Sequence, residues 1–263
     1  MESYFLPFLL TLIAGLSTGF GSLIALLTKN TNKKFLSISL GFSAGVMIYV
    51  SMIEIFFKAK DSLTLELGEK KGYLITVISF FIGILLIAII DKLIPSEKNP
   101  HEIQNKSLEN NKSKNLARMG IFTALVIAIH NFPEGIATFV SALQEPRIAI
   151  PIVVAIAIHN IPEGIAVSVP IYYSTGSKKK AFIYSFLSGL SEPIGAIVGL
   201  FILIPIMNDI VFGIIFAVVA GIMVFISLDE LLPTAREYGE HHLSIYGLIA
   251  GMMVMAVSLL LFV

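Results

Sequence analysis

An all-α integral membrane protein with eight transmembrane helices is the fold class this sequence predicts, and three observations predict it. The 263 residues are 56 % hydrophobic and only 14 % charged. Mean hydropathy is strongly positive, well outside the ordinary soluble range. The apolar residues fall into blocks of roughly 20, the length a helix needs to cross about 30 Å of hydrocarbon. Eight such blocks lie near 5–27, 35–57, 72–94, 119–142, 148–170, 181–204, 210–232 and 244–263. Little chain remains for a soluble domain, so residues 1–263 are expected to form one transmembrane domain.

The first block, "MESYFLPFLLTLIAGL", has no basic leader and runs straight into a full-length span, so it reads as a retained helix rather than a cleaved signal peptide. Short loops rich in Lys and Arg stay in the cytoplasm. With the N-terminus outside, 13 basic residues fall in inside loops and five in outside loops, which places both termini outside. The longest connection, residues 95–118, is rich in Asn, Lys, Ser and Glu with scarcely an apolar residue. It cannot bury enough surface to fold and is expected to be a flexible cytoplasmic loop. The loop separates spans one to three (1–94) from spans four and five (119–170), and spans six to eight (181–263) follow, a 3+2+3 arrangement. Stretches such as "GLSTGFGSLIA", "SLGFSAGV" and "FLSGLSEPIGAIVG" supply small residues that let helices approach closely in a bilayer. They are compatible with an inverted repeat of the outer triplets.

Composition also excludes functions. The formal net charge is zero, and no basic cluster is dense enough to neutralise a run of phosphates, which argues against a nucleic-acid partner. The chain has no Cys, so disulfides, thiolate metal sites and thiol nucleophiles are all absent. Any metal must be held by nitrogen and oxygen.

The chemistry sits in the middle pair of spans, which carry "AIHNFPEGIA" and "AIHNIPEGIA". Four-residue spacing puts His130 over Glu134 and His159 over Glu163 on one helix face, with Asn131 and Asn160 beside the carboxylates. Pro133 and Pro162 cannot donate to the carbonyls of Ile129 and Ile158, and a kink is expected at each. In a membrane this is tolerated only where backbone is buried in protein or faces water. His130, His159 and Glu192 each lie about a dozen residues into a crossing of about 20, close to the midplane. No Lys or Arg lies at that depth in any span. A carboxylate in hydrocarbon costs a few kcal/mol or more, so Glu134, Glu163 and Glu192 must be protonated, hydrated or paired with a cation that the side chains do not supply. A divalent metal ion satisfies all three at once.

Two His, two Asn and three Glu form a mixed nitrogen and oxygen set suited to Zn²⁺, Fe²⁺, Mn²⁺ or Co²⁺ rather than to Cu⁺ or Mg²⁺. Two metals sharing carboxylates fit this count better than one. Protons compete for neutral His and ionised Glu, so metal affinity should fall in acid. A single His-x-x-x-Glu on a helix is ordinarily a stabilising pair, but two near-identical copies at bilayer depth are not explained that way. For Glu192 the plain alternative is a protonated carboxyl hydrogen-bonded between helices. Glu54 is balanced between a solvated helix end and an access residue. The cluster of Asp229, Glu230, Glu237, His241 and His242 reads first as a hydrated loop and second as a weak metal-release point. His101 stands alone in the long loop.

His-Asn-x-Pro-Glu-Gly in two consecutive spans, followed by Ser-Glu-Pro in the next, resembles the ZIP family of divalent metal transporters. "GFSAGVMIYVSMIE" together with "HNFPEG" is similar to its bacterial ZupT branch, and the resemblance covers essentially the whole chain. It implies eight spans in a 3+2+3 arrangement with inverted outer triplets, both termini outside, and a multi-pass location in the cytoplasmic (inner) membrane of the cell. It also implies a binuclear site: His130, Glu134, His159 and Glu163 at one position, Asn131, Glu134, Asn160, Glu163 and Glu192 at the other. The transported ions would be zinc, with iron, manganese, cobalt or cadmium, none of them a permanently bound cofactor. The family alone suggests a homodimer. Many relatives carry a His-rich loop between spans three and four, where this chain has only His101.

Rival readings are an intramembrane metal-dependent hydrolase, a structural metal site without transport, and a monovalent cation pore. The first needs an activated water and a general base, yet His-Glu-x-x-His is absent from the sequence. The second predicts retained metal and no flux. The third would be expected to use carbonyl rings more than paired imidazoles. The expectation is therefore a transporter and not an enzyme.

Overall fold

The computed structural model of the chain describes residues 2–27, 33–93, 112–144, 146–203, 206, 208–238 and 241–260. Helices account for nearly all of them: α1 (Glu2–Leu27), α2 (Lys33–Tyr49), α3 (Phe56–Leu67), α4 (Glu69–Leu93), α5 (Lys112–Gln144), α6 (Pro146–Thr175), α7 (Lys178–Gly189), α8 (Ser191–Val198), α9 (Asp209–Ile226), α10 (Leu232–Tyr238) and α11 (His241–Leu260). Short π-helical segments join α2 to α3 (Val50–Ile55), follow α8 (Gly199–Leu203) and join α9 to α10 (Ser227–Leu231). Seven of the resulting rods are long and apolar enough to cross a membrane, and the 30-residue α6 makes the eighth long helix.

Several boundaries differ from those expected. The second rod does not end near 57 but continues through α3 to Leu67, because Lys58 pairs with Glu54 one turn back at 2.7 Å and the following residues favour helix. It stops at Gly68, whose φ of 81° a side chain would resist. The expected outside loop thus shrinks to one residue between α3 and α4. Of the expected flexible loop, residues 95–111 with His101 lie outside the described residues, and the chain is already helical from Lys112. The sixth span is irregular at Leu190, where α7 passes into α8 directly before Ser-Glu-Pro. Pro193 cannot donate to the carbonyl of Gly189, so the helix loses a rung there. Helices α5 and α6, by contrast, run on through Pro133 and Pro162.

The closest packing pairs α2 with α11, α4 with α9, α1 with α6, and α5 with both α6 and α8. Glycines make it possible, and they come in matching sets. A side chain at Gly45 would strike the carbonyl of Leu248 on α11, and one at Gly221 would strike that of Phe80 on α4. Gly45 and Gly221 themselves occupy corresponding places in "AGVMIYVSMIEI" and "AGIMVFISLDEL". Gly164 lies against the carbonyl of Thr18 and Gly135 against that of Glu192, where Thr18 and Glu192 follow "GLS" in α1 and across the α7–α8 junction. The π segments match as well. Ser51 donates to the Met47 carbonyl at 2.6 Å and Ser227 to the Met223 carbonyl at 2.7 Å, each drawing a hydroxyl onto the widened turn.

Because backbone carbonyls leave no room at these crossings, Gly45→Ala and Gly221→Ala are each expected to destabilise the detergent-solubilised protein by about 1–3 kcal/mol. A thermal unfolding midpoint unchanged from the natural protein in both variants would refute this packing.

Candidate metal centre

Both copies of the repeated hexapeptide lie inside long helices, α5 and α6, so their polar residues project at helical spacing and not from loops. Asn131, Glu134, His159, Asn160, Glu163 and Glu192 are all buried, none more than 1 % exposed. The side chain of His130 lies outside the described residues, although its place on α5 is the expected one.

The structure brings the motifs together across α5, α6 and α8. Nε2 of His159 stands 3.5 Å from Oε2 of Glu134, linking the second motif to the first. Asn160 donates its amide to Oε1 of Glu192 and to the Ala14 carbonyl of α1 at 3.0 Å, tying α6 to α8 and α1. Asn131 donates to the Ser188 carbonyl at 3.4 Å, reaching the end of α7. The carboxylates of Glu134 and Glu163 are near enough to act electrostatically on Glu192. One residue that sequence reading missed belongs here. Ser43 of α2, fully buried, donates to Oε1 of Glu163 at 3.3 Å and to the His159 carbonyl at 3.2 Å. Its signal was the small-residue stretch "GFSAG", which reads equally well as packing.

The atoms left over at the site are mostly oxygens, with Nε2 of His159 among them. Oδ1 of Asn131, both carboxylate oxygens of Glu134, Oδ1 of Asn160 and Oε2 of Glu192 are buried without a hydrogen-bond donor. Buried polar atoms are ordinarily satisfied, and here the surplus is chiefly lone pairs on amide and carboxylate oxygen, beside an imidazole nitrogen. Two amides spend their N–H groups on carbonyls or on Glu192 and turn their oxygens elsewhere. Such a set can accept a proton or a cation, and oxygen with imidazole suits a divalent transition metal.

A second acidic group lies elsewhere. Among the described residues, the one place where three His or carboxylate ligand atoms fall within 4.8 Å of one another is Asp91, Asp229 and Glu230. The seven residues expected at the centre do not converge that tightly among their described His and Glu atoms. Asp91, in the last turn of α4, was not foreseen as a partner of Asp229 and Glu230. His242, expected with them, is exposed and stacks on Tyr246 instead. The side chains of Glu237 and His241 lie outside the described residues. Glu54, the counterpart of Glu230 in the other π segment, is held by Lys58.

Comparison with known proteins gives one answer along the whole chain. The model of the family described as ZIP zinc transporter matches residues 91–259. The chain is 71 % identical to the zinc transporter ZupT of Streptococcus mutans over 100 % of its own length and 99 % of the relative's. It is 66 % identical to the zinc transporter ZupT of Clostridium perfringens over 100 % and 98 %, and 64 % identical to that of Chlorobaculum parvum over 99 % of each.

Asn160→Leu strips the amide donor from Glu192, which is fully buried, while the Ala14 carbonyl keeps the Ser17 hydroxyl. It is expected to cost about 1–3 kcal/mol for the carboxyl oxygen left unsatisfied, read as a lower unfolding midpoint without added metal. Full stability in that variant would show that these contacts hold nothing together.

Proposed function

Since the chain belongs to the ZIP zinc transporter family, we propose that it takes up divalent transition-metal cations, zinc foremost, across the membrane into the cytoplasm. The observation that carries this reading to particular residues is the group of buried oxygen acceptors without donors on α5, α6 and α8. His130, Asn131, Glu134, His159, Asn160, Glu163 and Glu192 hold the ion, in two adjacent positions that share Glu134 and Glu163. Iron, manganese, cobalt and cadmium are further candidates as cargo, since the ligand types alone accept them.

A hydrated cation reaches the midplane, exchanges water for amide, imidazole and carboxylate ligands, and leaves on the opposite side. The exchange offsets the cost of burying carboxylates, because the ion neutralises them and they replace its water. Shared carboxylates let an arriving ion weaken the hold on the one before it. Asn160, Asn131 and Ser43 orient the site through their hydrogen bonds to Glu192, the Ser188 carbonyl and Glu163, the part that outer partners of metal ligands ordinarily play. The matched glycine crossings of α2 and α9 and of α5 and α6 support an inverted repeat within a 3+2+3 arrangement. The excess of basic residues in the loops taken as cytoplasmic supports both termini outside. A family of transporters leaves the hydrolase reading without a basis, and a structural metal site would hold its ion without flux.

Zinc uptake into proteoliposomes containing a trapped fluorescent indicator tests the assignment. Glu134→Ala and Glu163→Ala should each reduce saturable uptake at least about 100-fold, beyond the 10–100-fold typical of outer-shell losses, with unchanged reconstitution. Uptake that survives both substitutions would remove the transport site from the repeated motif.

A further inference from the structure

Resting on that site, we infer that Thr138 is a further metal-handling residue. Its hydroxyl takes the cation between a cavity beside the C-terminal half of α5 and the carboxylate of Glu134, and so contributes to selectivity. Glu134, Thr138 and Ser141 follow one another at helical spacing on a single face of α5, and all three line one cavity. The facing wall is apolar, formed by Val50, Ile156 and Phe216 among others. Thr138 and Ser141 are therefore the hydroxyl-bearing residues of α5 that share this cavity's lining with Glu134.

Thr138 is fully buried, and its Oγ1 has no hydrogen-bond partner. A threonine inside a helix ordinarily donates to the carbonyl four residues back. Thr11 and Thr76 do so in this protein, at 3.0 Å to Pro7 and 2.9 Å to Gly72. Thr138 does not, although the Glu134 carbonyl is the corresponding acceptor. Thr138 and Glu134, one helical turn apart, line the same cavity, and a neutral oxygen without a partner beside that carboxylate can replace one water of an ion's shell.

The other half of the molecule shows that this hydroxyl is not required by the fold. A second cavity is lined by Ile226, Ala166 and Ile127, residues that correspond to Val50, Ala137 and Ile156 of the first. In the second motif, however, the place of Thr138 is taken by Val167, also fully buried, and neither Val167 nor Glu163 lines that cavity. Equivalent packing is thus met by valine on one side and threonine on the other. Thr138 shares the lining of its cavity with Glu134, whereas Val167 and Glu163 do not line the matching one. The oxygen is also a hard ligand, which favours zinc over the softer cadmium.

The test is the concentration dependence of zinc and cadmium uptake into proteoliposomes by the natural protein, Thr138→Val, Thr138→Ser and Glu134→Ala. Thr138→Val, which preserves shape, should raise the zinc KM about tenfold, the size of one hydrogen bond to a charged group, with the maximal rate within about twofold. The cadmium KM should move less, and Thr138→Ser should stay near the natural values. Natural zinc KM in Thr138→Val, while Glu134→Ala abolishes uptake, overturns this inference alone. Equal losses in Thr138→Val and Thr138→Ser overturn it in favour of a packing role. If Glu134→Ala transports normally, the metal-site reading falls and this one with it. Should Thr138→Val fail to reconstitute, Thr138→Ala is read by the same criteria against Thr138→Ser.

Discussion

Burial of the Glu134, Glu163 and Glu192 carboxylates inside a bundle of apolar helices is the constraint to which the rest of the structure answers. Neither lipid nor a nearby Lys or Arg can neutralise them, and an unpaired charge in such surroundings is costly. The molecule meets that cost in two parts. Amide donors from Asn131 and Asn160 go to backbone carbonyls and to Glu192, and Ser43 reaches Glu163 from another helix. What remains is an excess of acceptor oxygens, chemistry for a cation and not for a folded polar core.

Close helix packing follows from the same requirement. For α5, α6 and α8 to bring Asn131, Glu134, Asn160, Glu163 and Glu192 together, their backbones must approach more nearly than Leu- or Phe-bearing faces permit. Gly135 against the Glu192 carbonyl and Gly164 against that of Thr18 supply this approach. The irregular turn at Leu190 comes directly before Glu192, whose carboxyl accepts from Asn160 of α6. At both π segments, Ser51 and Ser227 place a polar turn next to an acidic residue. Lys58 occupies Glu54, whereas Glu230 gathers with Asp91 and Asp229. Corresponding positions in the two π segments have thus diverged in chemistry while keeping their packing.

Residues with a strong local signal were legible in the sequence. Hydropathy marked the eight long helices because a bilayer leaves backbone groups no partner outside the helix, and "HNFPEG" and "HNIPEG" named the candidate ligands because polar groups at that depth need a reason. Neither says which side chain meets which. That His159 faces Glu134 across two helices, that Asn160 serves Glu192, and that Ser43 and Asp91 join polar clusters are consequences of helix rotation and crossing, which depend on glycine contacts far apart in the chain. Thr138 and Val167 look interchangeable in the sequence, as either fills a helix position in an apolar span. Tertiary structure alone distinguishes them, by placing one in the lining of a cavity shared with Glu134 and the other outside the lining of the matching cavity, because cavities arise from the fit of whole helices and not from any residue's own preference.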